Sequence, residues 1–157
     1  MNRCAYEQAL RLLEYRARSA AELRRALLRK GASAGEVDAA IEKLRDQKLI
    51  DDDDFARQFA RNRVAGPGAS RRRIVQELSR KGIAREVADR AIEQLREQDG
   101  LDPADGIHRV ARKKWSSLAK LDDFTRRRRL YAFLARRGFD PDEIRDALQR
   151  LGEEIEG

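Results

Sequence analysis

Hydrophobic residues recur along this chain at helical spacing, and the same arrangement occurs three times around a glycine. Gly31, Gly82 and Gly138 each have a leucine four residues earlier and an isoleucine or leucine ten residues later. Further apolar residues lie eight before and thirteen after each glycine. These intervals place the apolar residues on one face of a helix on either side. Because glycine accepts the left-handed conformation that ends many helices, the pattern predicts three copies of a helix, a glycine and a second helix.

A further helix precedes each pair. Apolar residues at positions i, i+3 and i+4 begin at Ala9, Ala56 and Ile107, which is again one helical face. Residues that can cap a free backbone N–H stand where helices should start. They are Ser19 with Glu22, Ser33 with Glu36, Ser70, Asp122, and Asp140 followed by Pro141. Ala84 holds the equivalent place in the second copy, so that helix start is predicted to be poorly capped.

These units predict an all-α fold of three tandem three-helix repeats. We place the repeats at residues 5–50, 51–101 and 103–152. Three short helices bury little apolar surface alone, so neighbouring repeats are expected to stack. The expected result is an elongated, curved rod whose concave face can lie along another long object.

Composition narrows the class of protein. The 157 residues are 41% hydrophobic and 40% charged with only three prolines, which is typical of a helical protein in water. No apolar run approaches the length of a bilayer span, and the N-terminal stretch lacks the apolar core of a secretory signal. The single cysteine excludes a disulfide within this sequence. We therefore expect a cytoplasmic protein.

Three features could carry chemistry, and each has a simpler interpretation. His108 is the only histidine, so no catalytic triad or histidine-based metal site can form around it without other ligands, and we expect a half-exposed helical side chain. The run "DDDDF" at 51–55 lacks the spacing of a calcium loop and is predicted to cap a helix. The stretch "AGPG" at 65–68 lacks the Lys-Ser/Thr of a phosphate-binding loop and is predicted to be a plain turn. No catalytic residue, metal site or cofactor is predicted.

Arginine clusters are the remaining signal. A formal net charge of +7, from 35 basic and 28 acidic residues, indicates an anionic partner such as nucleic acid or a nucleoprotein surface. The candidate partner- or DNA-binding residues are Arg24, Arg25, Arg71, Arg72, Arg126, Arg127 and Arg128. A solvated face balanced by nearby acids is the alternative, but recurrence in all three repeats favours a binding surface. Arg73 and Arg129 are set aside because each precedes a core residue, and Trp115 and Tyr131 are expected in the core.

Four stretches carry a resemblance to a known family. They are "ALRLLEYRARSAAELRRALLRKG" (9–31), "LIDDDDFARQFARNR" (49–63), "GASRRRIVQELSRKGI" (68–83) and "RRRLYAFLARRGFDPDEIRDAL" (127–148). In this order they resemble the RecX family of bacterial recombination regulators. The resemblance covers nearly the whole chain and implies a cytoplasmic, non-enzymatic regulator of the recombinase RecA, built from three tandem three-helix repeats.

The resemblance also implies a mode of action. Such a regulator binds the RecA–DNA filament, lies in its helical groove and inhibits ATP hydrolysis and strand exchange, within DNA repair, homologous recombination and the SOS response. Repeated units could contact successive filament subunits and multiply weak contacts. We expect a monomer, with single- and double-stranded DNA as further candidate partners and no membrane partner. The alternative is a helical DNA-binding module that uses its helix-glycine-helix units as helix-turn-helix-like readers.

Overall fold

Helices make up the whole regular structure of this computed structural model, which describes residues 4–157. Within that range the chain forms nine α-helices and one π-helical turn, and no strand. They are α1 (Ala5–Tyr15), α2 (Ala20–Arg29), α3 (Ala34–Asp46), α4 (Asp52–Ala65), α5 (Arg71–Arg80), α6 (Arg85–Gln94), the π-helical turn (Leu95–Asp99), α7 (Pro103–Ser117), α8 (Asp123–Arg136) and α9 (Pro141–Glu156). The predicted all-α fold is confirmed. None of these helices is long and apolar enough to cross a bilayer.

The predicted helix boundaries are confirmed by hydrogen bonds at the helix starts and by backbone geometry at the glycines. Complete capping boxes open three helices, with the cap side chain and the third residue exchanging hydrogen bonds: Ser19 with Glu22, Ser33 with Glu36, and Asp140 with Glu143. The glycines between paired helices all have positive φ: Gly31 at 95°, Gly82 at 77° and Gly138 at 92°. Each cap contributes about 1 kcal/mol, so residues close in sequence help to set where these helices begin.

The chain packs as two compact units, each with its own core. The first unit takes in the chain up to Phe59 together with Glu77–Ala91. The second takes in Ala60–Gln76 together with Ile92–Gly157. These units do not follow the three repeats placed from the sequence, whose limits stay a prediction.

In the first unit, α1, α2 and α3 pack against one another. The buried residues of this core are Ala5, Ala9, Ala20, Leu23, Leu27, Val37, Ala40, Ile41, Leu44 and Ile50. Leu23, Leu27 and Leu44 are completely buried, and burial of a leucine side chain stabilises a fold by about 1.5–3 kcal/mol. The core-facing leucines are those that the repeat pattern places on the apolar face.

Gly82 marks the closest approach in the first unit. Its Cα lies so near α2 that a Cβ added there would be 2.2 Å from the Cβ of Ala21. Beside this contact, the Nη2 of Arg25 donates a hydrogen bond of 3.0 Å to the carbonyl oxygen of Arg80 at the end of α5. Glycine is therefore required at this position twice over, by its positive φ and by the space it leaves for α2.

In the second unit, α7 packs on α8 and α9, and α8 packs on α9. The buried core residues are Ile107, Ala111, Trp115, Leu130, Leu134, Phe139, Ile144, Ala147 and Leu151. The turn after α4, predicted from "AGPG", lies directly against α7. A Cβ at Gly68 would be 2.9 Å from Val110 Cγ2 and 3.2 Å from the carbonyl oxygen of Gly106. The plain turn is thus also a packing element.

Replacing Gly82 by alanine should destabilise the protein much more than replacing Gly31 by alanine. Both glycines have positive φ, so both variants carry the cost of a left-handed alanine, about 1–2 kcal/mol. The new methyl group meets Ala21 only at Gly82, whereas a Cβ at Gly31 has nothing within 4 Å. Overpacking should add about 1–3 kcal/mol at Gly82 alone. Urea unfolding of the two variants measures the difference, and equal losses would contradict the close packing on α2.

Candidate partner-binding site

Many arginines of this chain serve the protein's own backbone. The last carbonyl groups of a helix have no partner within the helix, and arginine side chains near a helix end can donate to them. Within residues 4–157 this happens at the ends of five helices. The pairs are Arg18 with the carbonyl of Leu12, Arg25 with Arg80, Arg73 with Arg137, Arg109 with Val64, and Arg126 with Trp115. Each guanidinium so used holds two segments of one unit together.

This use of arginine divides the seven predicted site residues. Arg25 caps α5, and Arg126 caps α7 with two hydrogen bonds of 3.0 and 2.6 Å to the Trp115 carbonyl while its guanidinium lies 3.7 Å from the ring centroid. Arg24 forms an ion pair with Asp38. These three side chains already have partners in the protein, and a binding role for them stays a prediction. The other four, Arg71, Arg72, Arg127 and Arg128, are exposed, and Arg71 also has a partner within the protein.

One side of α8 combines exposed aromatic and basic side chains. Phe124 is 76% exposed and Tyr131 is 38% exposed. Arg127 and Arg128 are exposed between them, and neither has a hydrogen-bond or ion-pair partner in the described part of the chain. Positions three, four and seven residues apart fall on one side of a helix. We call these four residues the α8 stripe.

Two aromatic residues, Tyr131 and Trp115, were predicted to lie in the core, and the structure confirms this for Trp115 only. Tyr131 is 38% exposed, whereas Leu130 and Leu134 of the same helix are completely buried. Trp115 is buried at 9% exposure, as expected. Trp115 lies on the same face of α7 as the buried residues Ile107 and Ala111, whereas Tyr131 lies on the exposed α8 stripe.

A cavity of about 530 Å³ lies in the second unit beside the turn after α4. Its lining residues are Gly66, Pro67, Arg109, Val110, Lys113, Lys114, Ser117, Phe133 and Arg137. Four of them are basic and none is acidic. We call this feature the basic cavity. It was not predicted from the sequence, because its lining joins α7 and the end of α8 to a turn, Gly66 and Pro67, that lies far from them in the chain. The available signal was the spacing of Arg109 and Lys113, one helical turn apart on α7.

Three of the four cations of the basic cavity are held by contacts within the protein. Arg109 donates to the carbonyls of Val64 and Gly66 at 2.8 and 3.0 Å, and Arg137 donates to the carbonyl of Pro67 at 2.8 Å. The Nζ of Lys114 and the guanidinium carbon of Arg137 each lie 4.8 Å from the centroid of the Phe133 ring. Such cation–π contacts fix the direction of a charged side chain at little cost in desolvation.

His108 is buried, not half exposed as the sequence suggested. Its side chain is 5% exposed, and its Nε2 lies 2.8 Å from an Oε1 of Glu154, to which Arg112 donates at 2.9 Å. The expectation was wrong because α9 continues to Glu156, past Leu151, the last leucine of the repeat pattern. This added length of helix places Glu154 beside His108. The hydrogen bond from His108 lowers the pKa of Glu154. His108 thus connects α7 to α9.

The acidic run that opens α4 serves the protein's own backbone. The side chain of Asp51 accepts a hydrogen bond from the backbone N–H of Asp54 at 3.2 Å, and Asp52 accepts one from the N–H of Ala20 at 2.9 Å. The predicted capping role is confirmed. In the part of the chain that the structure describes, no three histidine, cysteine or acidic side chains are grouped to hold a metal ion.

The start of α9 places an unusual acid beside one of the predicted arginines. The backbone N–H of Glu143 donates to Asp140 and holds the pKa of that carboxyl below its usual range. Burial raises the pKa of Glu143 to about 7, and the neighbouring Asp140 adds to the shift. The charge of Arg72 lowers the pKa of both acids, but at Glu143 it does not offset burial. Arg72 therefore lies near a group that titrates close to neutral pH.

The fold and these surfaces define a class of protein: an all-α protein of short, capped helices whose basic surfaces suit an anionic partner. Family models for the three three-helix domains of RecX match the chain in order, the first at residues 5–44, the second at 51–92 and the third at 104–148. The chain belongs to the RecX family.

Individual relatives agree with this assignment. Regulatory protein RecX of Pelodictyon phaeoclathratiforme is 39% identical over 143 residues, which cover 91% of this chain and 86% of the relative. Regulatory protein RecX of Amycolatopsis mediterranei is 36% identical over 135 residues, covering 86% and 75%. The crystal structure of RecX from Lactobacillus salivarius has the same fold, with a TM-score of 0.78 at 24% identity and 94% of each chain covered. The resemblance noted in the sequence is confirmed.

Replacing Glu143 by glutamine should change how stability depends on pH. Folded Glu143 keeps its proton up to about pH 7, whereas the ordinary pKa is 4.5, so unfolding releases a proton between these values. The stabilising contribution of this group is therefore present at low pH and is lost as pH rises through about 7. Glutamine keeps the capping acceptor without titrating. Thermal melts at pH 5 and pH 8 should show a smaller loss of stability in Glu143→Gln than in the parent; identical pH profiles would show that Glu143 titrates normally.

Proposed function

We propose that this protein is a negative modulator of the RecA recombinase that binds in the groove of the RecA–DNA filament and inhibits ATP hydrolysis and strand exchange. Its membership of the RecX family, with relatives called regulatory proteins, supports a regulator that acts in the context of RecA. The α8 stripe is the structural observation that supports this proposal, and its four residues are the proposed contacts with the filament. It offers side chains that the protein leaves without partners of their own.

The chemistry of the stripe suits a protein–nucleic acid filament. Aromatic residues and arginine are enriched at the centres of protein interfaces, where a few of them supply most of the binding energy. Arg127 and Arg128 can pair with carboxylates on filament subunits or with phosphates of the bound strand. Phe124, at 76% exposure, has apolar surface to bury against either partner.

The positive net charge of the protein also favours a RecA–DNA filament as its partner, and this attraction acts at longer range than the contacts of the stripe. The formal charge of +7 attracts the protein to a polyanionic filament and speeds encounter. Such attraction is screened by salt. Three helical repeats, if each supplies an attachment, raise the overall affinity through their high effective concentration. The modulator is proposed to act as a monomer without catalysis, and in the cytoplasm, where bacterial DNA lies.

The proposal predicts inhibition below one regulator per RecA subunit. We expect DNA-dependent ATP hydrolysis by RecA to fall when the regulator is present at fewer molecules than filament subunits, because one molecule contacts several subunits. A titration of the regulator against a fixed concentration of RecA and single-stranded DNA measures this. A requirement for one regulator per subunit would overturn the multi-subunit contact. Equal affinity for bare and RecA-coated strands at one salt concentration would favour the DNA-binding module instead.

Reversing the charge of the stripe should separate function from stability. The double substitution Arg127→Glu with Arg128→Glu should weaken binding to RecA–DNA filaments by roughly 30-fold, the effect of losing about 2 kcal/mol at a central contact. The exposed pair Arg11 and Arg29 is the matched control, since Arg11→Glu with Arg29→Glu changes the net charge equally. Circular dichroism should show unchanged helix content in both variants.

The comparison of the two double variants decides the role of the stripe. If both lose affinity equally, net charge alone drives binding. If neither loses affinity, the stripe is a solvated face. Phe124→Ala adds a test without a change in charge: this exposed residue should leave the melting temperature unchanged while weakening filament binding severalfold.

A further inference from the structure

We propose that the basic cavity of the second unit binds a phosphodiester group of single-stranded nucleic acid. Arg109, Lys113, Lys114 and Arg137 line it, and no acidic side chain does. Four cations at one concave site repel one another, and an anion placed among them relieves that repulsion. The apolar wall formed by Pro67, Val110 and Phe133 keeps part of the site away from water, which strengthens each charge–charge contact.

The hydrogen bonds already made in the cavity leave its lysines as the cations best able to bind a ligand. Arginine binds a carboxylate or a phosphate best with a free planar fork that donates two parallel hydrogen bonds. The guanidinium of Arg109 already donates to the carbonyl oxygens of Val64 and Gly66, and that of Arg137 already donates to the carbonyl oxygen of Pro67. Lys113 has no partner in the described part of the chain. Lysine ammonium groups act as point charges that suit phosphate oxygens without a fixed geometry.

Phe133 organises the site and is poorly placed to stack on a base. Lys114 and Arg137 both lie over its ring, 4.8 Å from the centroid. A base that stacked there would have to displace a cation. The ring therefore holds two positive charges in place before a ligand arrives, which reduces the entropy lost on binding.

The size of the cavity favours a flexible strand. A volume of about 530 Å³ is larger than a phosphate ion needs and can admit part of a nucleotide along with its phosphate. A flexible single strand can rotate a nucleotide and its phosphate into a cavity. In a duplex the nucleotides are stacked and paired, so the same movement costs the free energy of unstacking. The cavity uses none of the four residues of the α8 stripe. The inference concerns the protein and DNA alone, so it does not depend on the recombinase proposal.

The test is direct binding of a labelled oligothymidylate to the full chain in the absence of RecA, followed by fluorescence anisotropy over a series of salt concentrations. The double substitution Lys113→Gln with Lys114→Gln should weaken binding about tenfold at low salt. The slope of log affinity against log salt should fall by roughly 0.7 for each lost phosphate contact. The matched control is Lys30→Gln with Lys120→Gln, two exposed lysines outside the cavity lining with the same loss of charge.

Each outcome decides the inference. It holds if the cavity variant loses affinity and salt slope while the control variant retains both. It fails if the two variants behave alike, since binding then follows net charge only. It also fails if polyglutamate or inorganic phosphate competes as well as unlabelled oligothymidylate of equal charge concentration, because the site would then be a general anion or acidic-peptide site. Equal affinity for a duplex of the same length would overturn the preference for a single strand.

A substitution without any change in charge tests the role of Phe133. Phe133→Leu keeps an apolar side chain but removes the aromatic face that positions Lys114 and Arg137. We expect oligothymidylate binding to weaken severalfold with little change in the salt slope, because the cations remain but are less ordered. Helix content by circular dichroism should be unchanged. Unaltered affinity would show that the ring does not position the cations for binding.

Discussion

The carbonyl groups at helix ends impose the constraint on which the rest of this structure depends. The nine short helices of residues 4–157 have many such groups relative to their length, and each group left unpaired and buried costs about 1–3 kcal/mol. The chain meets part of this demand locally, with glycines of positive φ. It meets another part with arginine side chains from other segments, as Arg25 does for Arg80 and Arg126 does for Trp115. Helix ends thereby become the points at which segments of one unit are joined.

This constraint changes the meaning of the high arginine content. A net charge of +7 is usually taken as evidence of an anionic partner, yet several guanidiniums close to the predicted site already bind backbone carbonyls. Arginine suits that task because its planar fork can donate more than one hydrogen bond and its charge never titrates. Among the predicted site residues, Arg127 and Arg128 are exposed and bind no other group within residues 4–157. Charge counts alone do not separate the two groups.

The two candidate surfaces differ in how the fold holds their side chains. The cores of both units are made mostly of leucine, isoleucine and alanine, and the four residues of the α8 stripe lie outside them. The basic cavity is of another kind, since three of its four cations are held by Phe133, by the end of α4 or by the turn after it. The α8 stripe suits a broad contact with a partner, and the basic cavity suits a single anionic group.

The sequence by itself determined the helices, their starts and their ends, because capping and apolar spacing are local. Ser19, Ser33 and Asp140 act within one helical turn, and Leu23 and Leu27 lie on a face that the spacing defines. Only the tertiary structure decided which arginines face solvent, why Gly82 has no room for a side chain, and that His108 is covered by α9. It also assembled the basic cavity from α7, α8 and a distant turn. These features depend on which segments of the chain meet, and periodicity within one helix carries no information about the neighbour on which that helix packs.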